Sequence, residues 1–447
     1  MVSILQNLYP WNIRKPKHQI IRRYLGHRLR SPRFVAIVIN YAFPLRSMYV
    51  TSFTSSETRA VSMLATLYIV RMLGLFMVLP LIAIYSSDMT GATPFLLGLA
   101  VGAYGLTQAT LQIPMGWLSD RIDRRWVIVF GLCLLLAGSV VAAYSTSIWG
   151  VIAGRFLQGA GAIASATMAL VADYTRVEQR AKASAIIGGS IAIAFGLALV
   201  LGPTFANFGG LQAVFAVTAL LALAGILVVG LLPEPDRQAA KARDEAAGFH
   251  RSRLAEVLSI KSLNTMYISI FFLHFLLMAV FVVVPSGLEA EAGIARERHA
   301  LAYLGALILS VPGIYFLVQG RRYLSAPTRT LLLCLFVLLS GLVAMSLGGF
   351  IGTLLGLLLF FTGFTALEAM LPSLASIYAP AASRGTAMGV FASSQFIGVF
   401  FGGMLGGALL DQAGVMGVWL GMSALTLVLA TVLGVSHLES PDSVKVA

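Results

Sequence analysis

Four ionisable residues stand inside stretches that are otherwise apolar: Arg71 in RMLGLFMVLP, Arg155 in GRFLQGAGA, His274 in FFLHFLLMAV and Glu368 in FTGFTALEAMLPSL. At the centre of a bilayer each would cost at least about 2.5–3.5 kcal/mol, so each asks for a role. A carboxylate held away from water takes up a proton more readily than a solvated one and can release it on another side. Imidazole titrates near neutrality and can do the same. Glu368 is therefore the first candidate proton carrier and His274 the second; the plain alternative for both is an interhelical hydrogen bond. Arg155, with Gln158 and Gly159 following it, has interior bonding to backbone carbonyls as its plain reading. Arg71 either faces a cavity, with Gln158 as a second cavity residue, or snorkels to a surface.

A second group is external to the apolar runs. From Gly116 to Ile128 the chain reads GWLSDRIDRRWVI, where one apolar run stops at Asp120, Arg121, Asp123, Arg124 and Arg125 and another begins. A carboxylate such as Asp120 at the end of one helix can meet the positive N-terminus of a neighbour, a contact worth typically about 0.3–1 kcal/mol. Cys133 and Cys334 both lie in apolar runs, which argues for packing and against a disulfide or a metal framework.

The elements that must position these residues follow from composition. Hydrophobic residues make up 58% of the chain and charged residues 11%, where a soluble domain carries roughly a quarter charged. A helix needs ~20 apolar residues to cross a bilayer core about 30 Å thick. Six such runs occur within 61–232 and six within 262–436, separated by a charged linker, 233–261, and followed by a short tail, 437–447. Among the expected spans are Leu64–Tyr85, Trp149–Ala172, Ala183–Ala206, Leu211–Leu232, Met388–Leu410 and Val415–Val435. The expected fold class is thus an all-α integral membrane protein of twelve transmembrane helices, and its first partner is the lipid bilayer.

The net charge of +13 would point to nucleic acid in a soluble domain, but here the cations fall in alternate short loops. These loops hold Arg121, Arg124 and Arg125; Arg176, Arg180 and Lys182; the linker cations; Arg321, Arg322 and Arg329; and Arg384. By the positive-inside rule they face the cytoplasm, so both termini are expected there and nucleic acid is not expected as a partner. Only the loop with Arg296 and Arg298 breaks the pattern. Residues 1–60 are basic, with no acid before Glu57. They read as an arm on anionic lipid headgroups, a cleaved targeting segment or, the favoured reading, an extension upstream of a true start at Met48.

The two sets of six are related. Laying RAKASAIIGGS, from Arg180, on RGTAMGVFASS, from Arg384, puts Gly202 on Gly406, Gly116 on Gly320 and Arg125 on Arg329. Parallel six-helix repeats with a substrate site between them are a known transporter layout. GWLSDRIDRR resembles the loop-two motif of the major facilitator superfamily, GRFLQGAGA its span-four arginine motif and, in part, GGSIAIAFGLALVLGP its span-five antiporter motif. In that third stretch Ala198, Ala206 and Asn207 stand in place of motif glycines, which weakens the antiport inference.

Longer stretches across 60–435 resemble the YajR-like branch of inner-membrane drug/proton antiporters. The resemblance implies the major facilitator fold, two six-helix pseudo-repeats and a bacterial inner (cytoplasmic) membrane. It implies a conformational latch of Gly116, Asp120, Arg121, Arg124, Arg125 and Asp173, in which Asp120 meets span eleven and Arg124 reaches Asp173. It gives Arg155 a role in tuning proton transfer. Asp123 replaces the motif glycine in a turn expected to draw on φ > 0, which aspartate tolerates. Gly202 and Pro203 would let span five bend.

The chain has no Gly-Lys dipeptide and therefore no Walker A loop, so a gradient rather than ATP is expected to drive it. Its six histidines are scattered and form no HExxH set, so an enzyme is not expected and neither a cofactor nor a metal is called for. The expected activity is proton-coupled export of small apolar or amphipathic compounds by a monomer, with protons and the small-molecule substrate as its soluble partners. A symporter or uniporter for a sugar or other metabolite is the alternative.

Overall fold

A computed structural model describes residues 52–85, 89–119, 121–233, 251–318, 326–380, 383–436 and 438. The chain divides into 1–53 and 54–447, and the described helices all lie in the second unit. Expectations for the basic arm, Asp120, Gly320, Arg321, Arg322, the greater part of the linker and nearly all of the tail lie outside the described residues.

With no water in a bilayer core, every backbone N–H and C=O must find its partner within the protein, and helices do so locally. Among the described residues, ten apolar helical stretches are long enough to cross. Two of them, Arg180–Gly230 and Arg384–Val435, have 51 and 52 residues, more than twice the ~20 that one crossing needs. They turn back at glycine: Gly209 and Gly210 interrupt the first, Gly414 the second. Gly210 and Gly414 have φ of 63° and 66°, the left-handed region where a side chain is penalised. Each therefore supplies two crossings, and the twelve-helix arrangement results.

Span one is Ser55–Tyr85 and begins nine residues before the expected Leu64. The reason is a capping box in Thr54-Ser55-Ser56-Glu57: Thr54 N donates to Glu57 Oε2 at 2.8 Å and Glu57 N to Thr54 Oγ1 at 3.2 Å. Glu57 also takes the Arg176 guanidinium, which fastens the start of span one to the loop after span four. Span four is broken, as Ile148–Ala160 and Ala164–Tyr174, where a continuous helix was expected. Its glycines bring backbones together: a Cβ at Gly159 would lie 2.1 Å from Tyr104 O, and one at Gly161 2.3 Å from Gly131 O.

The internal repeat is visible in packing. Gly202 lies against span one, where a Cβ would be 2.6 Å from Met77 O. Its counterpart Gly406 lies against span seven (Lys261–Ala290), 2.7 Å from Ala279 Cα. The helix runs unbroken through Gly202 and Pro203.

Between the halves, span two (Pro94–Ser119) packs on span eleven (384–413) through small residues. A Cβ at Gly98 would lie 2.2 Å from Gly403 O, at Gly102 2.5 Å from Phe400 O and at Gly105 2.5 Å from Phe396 O. Gly389, seven residues before Phe396, continues the same stripe toward the loops rich in arginine, yet nothing lies within 4 Å of its Cβ position. The close glycine approaches thus lie toward one end of the seam, and none is found at Gly389 toward the other, the basic end. Opposite the basic end, Arg296, from the loop that broke the charge pattern, pairs with Glu289 and lies 5.8 Å over the Tyr85 ring.

Candidate functional site

In the second half, three helices converge on one polar cluster. His274 of span seven, Glu368 of span ten (Gly349–Tyr378) and Gln395 of span eleven meet side by side. Gln395 Nε2 is 2.7 Å from His274 Nε2 and 3.5 Å from Glu368 Oε1. Glu368 Oε2 lies 3.7 Å from His274 Nε2 and, although buried, has no hydrogen-bond donor. The Glu368 side chain as a whole keeps 38% exposure, so it is only partly withdrawn from its surroundings. His274 is 7% exposed, beside the Phe364 ring.

The first half holds a longer chain of polar contacts. Ser139 Oγ accepts from Gln158 Nε2 at 2.8 Å, and Gln158 Oε1 accepts from Arg155 Nη1 at 3.0 Å. Arg155 is fully buried, with its guanidinium 5.2 Å over the Tyr104 ring. Tyr104 OH donates to Gln108 Oε1 at 2.9 Å, Gln108 to Gln112 at 2.7 Å, and Gln112 to Ser165 Oγ at 2.7 Å. Arg71 Nη2 joins this chain at Tyr104 OH and Gln108 Oε1, both 3.1 Å away, and reaches Gly161 O, in the break of span four, at 3.4 Å. At 4% exposure Arg71 points inward and does not snorkel. One N–H group of each arginine, Arg71 Nη1 and Arg155 Nη2, is buried without an acceptor.

At the basic end, Arg124 Nη1 lies 2.9 Å from Asp173 Oδ2, with side-chain exposures of 9% and 8%. Arg124 Nε also reaches Ser119 O at 3.4 Å. Arg121 stacks 3.8 Å over the Trp117 ring, and a Cβ at Gly116 would sit 3.3 Å from Ser165 Cβ. Asp123 departs from the expected left-handed turn. Its φ is −57°, and its carboxylate caps span three (Arg124–Ala143) by accepting from Arg125 N at 2.9 Å while pairing with the Arg125 guanidinium. An N-cap asks for no positive φ, and aspartate is among the best residues there.

Residues 64–403 match the Major Facilitator Superfamily. The chain belongs to that superfamily. Over 391 residues, 85% of this chain and 83% of the relative, it is 41% identical to the inner membrane transport protein YajR of Escherichia coli (strain K12). It is 26% identical to the multidrug resistance protein MdtH of Aeromonas salmonicida (strain A449), over 81% of this chain and 90% of that one. Among solved structures, the nucleoside transporter NupG superposes with a TM-score of 0.66 over 86% of this chain and all of that one, at 14% identity. The superfamily fold thus accounts for the twelve helices and their pseudo-repeat, and the chain is a multi-pass membrane transporter, not an enzyme.

Within this superfamily frame, the ionisable residues read from the sequence fall into two clusters and a basic-end ion pair. Sequence reasoning missed the neutral links: Tyr104, Gln108, Gln112, Ser139, Ser165 and Gln395. A signal for part of this set exists, since Tyr104, Gln108, Gln112 and Gly116 recur every four residues and so share one helix face. For Gln395 no local pattern points to it. It matters only because spans seven and ten bring His274 and Glu368 to its side.

Proposed function

We propose that this transporter exports small apolar or amphipathic compounds in exchange for protons, by alternating access in a bacterial inner membrane with both termini in the cytoplasm. The observation that carries the reading is the Glu368–His274–Gln395 cluster, brought together from spans ten, seven and eleven. A carboxylate and an imidazole within 4 Å of each other, reached from one side of a bilayer, form a proton-binding unit. With the basic end facing the cytoplasm, the state described is inward-open, and rocking the halves would carry the cluster to the other side. The Arg124–Asp173 pair is part of a latch that stiffens the basic end, with Asp120 as its third member. The printed name of the relative MdtH, a multidrug resistance protein, agrees with an apolar or amphipathic substrate. The protein acts as a monomer, since one chain supplies both halves of the cleft.

The test is purified protein in proteoliposomes under an imposed pH gradient, with dye uptake followed for the parent and for Glu368→Gln. Loss of gradient-driven uptake in Glu368→Gln, with dye binding retained, is the expected result. Parental protein that takes up no dye under any gradient, across a broad dye panel, would overturn the exporter reading.

A further inference from the structure

We propose that Gln395 is a positioning residue that senses whether His274 carries a second proton and transmits the answer to the seam between spans two and eleven. The proposal rests on the proton-coupling reading and adds to it the element that couples proton to motion. His274 Nδ1 lies 3.3 Å from Ile270 O, and a carbonyl only accepts, so Nδ1 carries the hydrogen. Nε2 is then the bare nitrogen, and the Gln395 amide 2.7 Å away must present its NH₂ to it. The same NH₂ stands 3.5 Å from Glu368 Oε1. The neutral imidazole is therefore held by a donor from span eleven.

A proton arriving from water adds to Nε2 and makes the ring cationic. Nε2–H then faces Gln395 N–H, and two donors cannot share a 2.7 Å contact. The amide must withdraw. Nε2–H is freed toward Glu368 Oε2, which is 3.7 Å away, buried and without a donor. Release of the proton to water reverses each step, so only one N–H bond is made and broken. Span ten contributes Glu368 as the charged group facing His274, and span eleven contributes Gln395. Spans one and two and the short helix Arg251–Ser259, which also pack on span seven, place no charged group against it among the described residues.

What connects this exchange to motion is the next residue. Phe396 O is the seam contact made by Gly105, the glycine of the span-two stripe nearest the basic end, 2.5 Å from its Cβ position, and the Phe396 ring lies 6.1 Å from the Tyr104 ring. Toward the basic end, at Gly389, no such close approach follows. A rearrangement at Gln395 therefore acts at the point where the two halves part, and through Tyr104 it reaches the arginine-bearing chain of the first half.

The experiment uses the full chain in lipid nanodiscs with isotope-labelled histidine, the His274 signal being assigned by its loss in His274→Gln. Its titration is followed in the parent, Gln395→Met and Gln395→Glu, beside the pH profile of gradient-driven dye uptake in proteoliposomes. Removing the donor from neutral Nε2 in Gln395→Met should raise the His274 midpoint by about 0.4–1 pH unit, and the uptake profile should move with it. Gln395→Glu supplies an acceptor and a charge and should raise it further, which keeps a readout if the methionine variant folds poorly. An unchanged midpoint in the folded variants, with uptake merely reduced, would overturn the proposal and leave Gln395 a packing residue. A parent without gradient-driven uptake would instead overturn the proton-coupling reading, whatever the midpoints do.

Discussion

Arg124 and Asp173 are both less than a tenth exposed and pair with each other at 2.9 Å. Removing one partner of a buried pair leaves an uncompensated charge, at a cost of about 3–5 kcal/mol. Arg124→Ala should accordingly lower the thermal midpoint in detergent by several degrees, whereas Arg125→Ala, whose partner Asp123 sits in the open, should leave the melt where it was. Equal melts for the two variants would remove Arg124–Asp173 from the latch. Arg71, Arg155, His274 and Glu368 stand out in the sequence because a bilayer makes charge conspicuous. Gln108, Gln112, Tyr104 and Gln395 do not, because a neutral amide or phenol among apolar residues is a modest anomaly. Their role emerges only when three or four helices bring them into one chain of hydrogen bonds. Asp123 teaches the reverse: a departure from a motif glycine is an ordinary helix cap once its φ is known.

In the proposed cycle, spans two and eleven control which end is shut. Gly98, Gly102 and Gly105 meet Gly403, Phe400 and Phe396 backbone to backbone, contacts that leave no room for a methyl group. Gly403→Val should force this end apart and depopulate the state described, while Gly389→Val, with open space around it, should leave this state intact and obstruct closure of the basic end. Thiol accessibility of cysteines introduced at each end checks both: Gly403→Val should raise labelling at the closed end, and Gly389→Val should not. If the two variants label alike, the seam is not the gate. The spans themselves were legible, because twenty apolar residues in a row have few other uses. Where they begin, break and turn was less so. The capping box at Thr54 moved the start of span one to Ser55, and the interruption of span four at Gly161 depends on packing against Gly131 and Tyr104 that no local pattern reveals.

For the whole molecule, the repeat read from aligned glycines is a packing symmetry, with Gly202 on span one and Gly406 on span seven holding equivalent helices together. Which state of the proposed alternating-access cycle the chain adopts was not legible, since one sequence would serve both states and their free energies would differ by a few kcal/mol at most. The central claim is that proton binding at the Glu368 cluster moves the halves against each other. It is tested most directly by spin-label distance measurements in nanodiscs, with Cys133 and Cys334 replaced by serine and label pairs on the two ends of spans two and eleven. Two populated separations are predicted at each end, anti-correlated between the ends, with a ratio that changes with pH in the parent and ceases to change in Glu368→Gln. Separations that ignore pH in the parent, or that shift identically in Glu368→Gln, would contradict the claim.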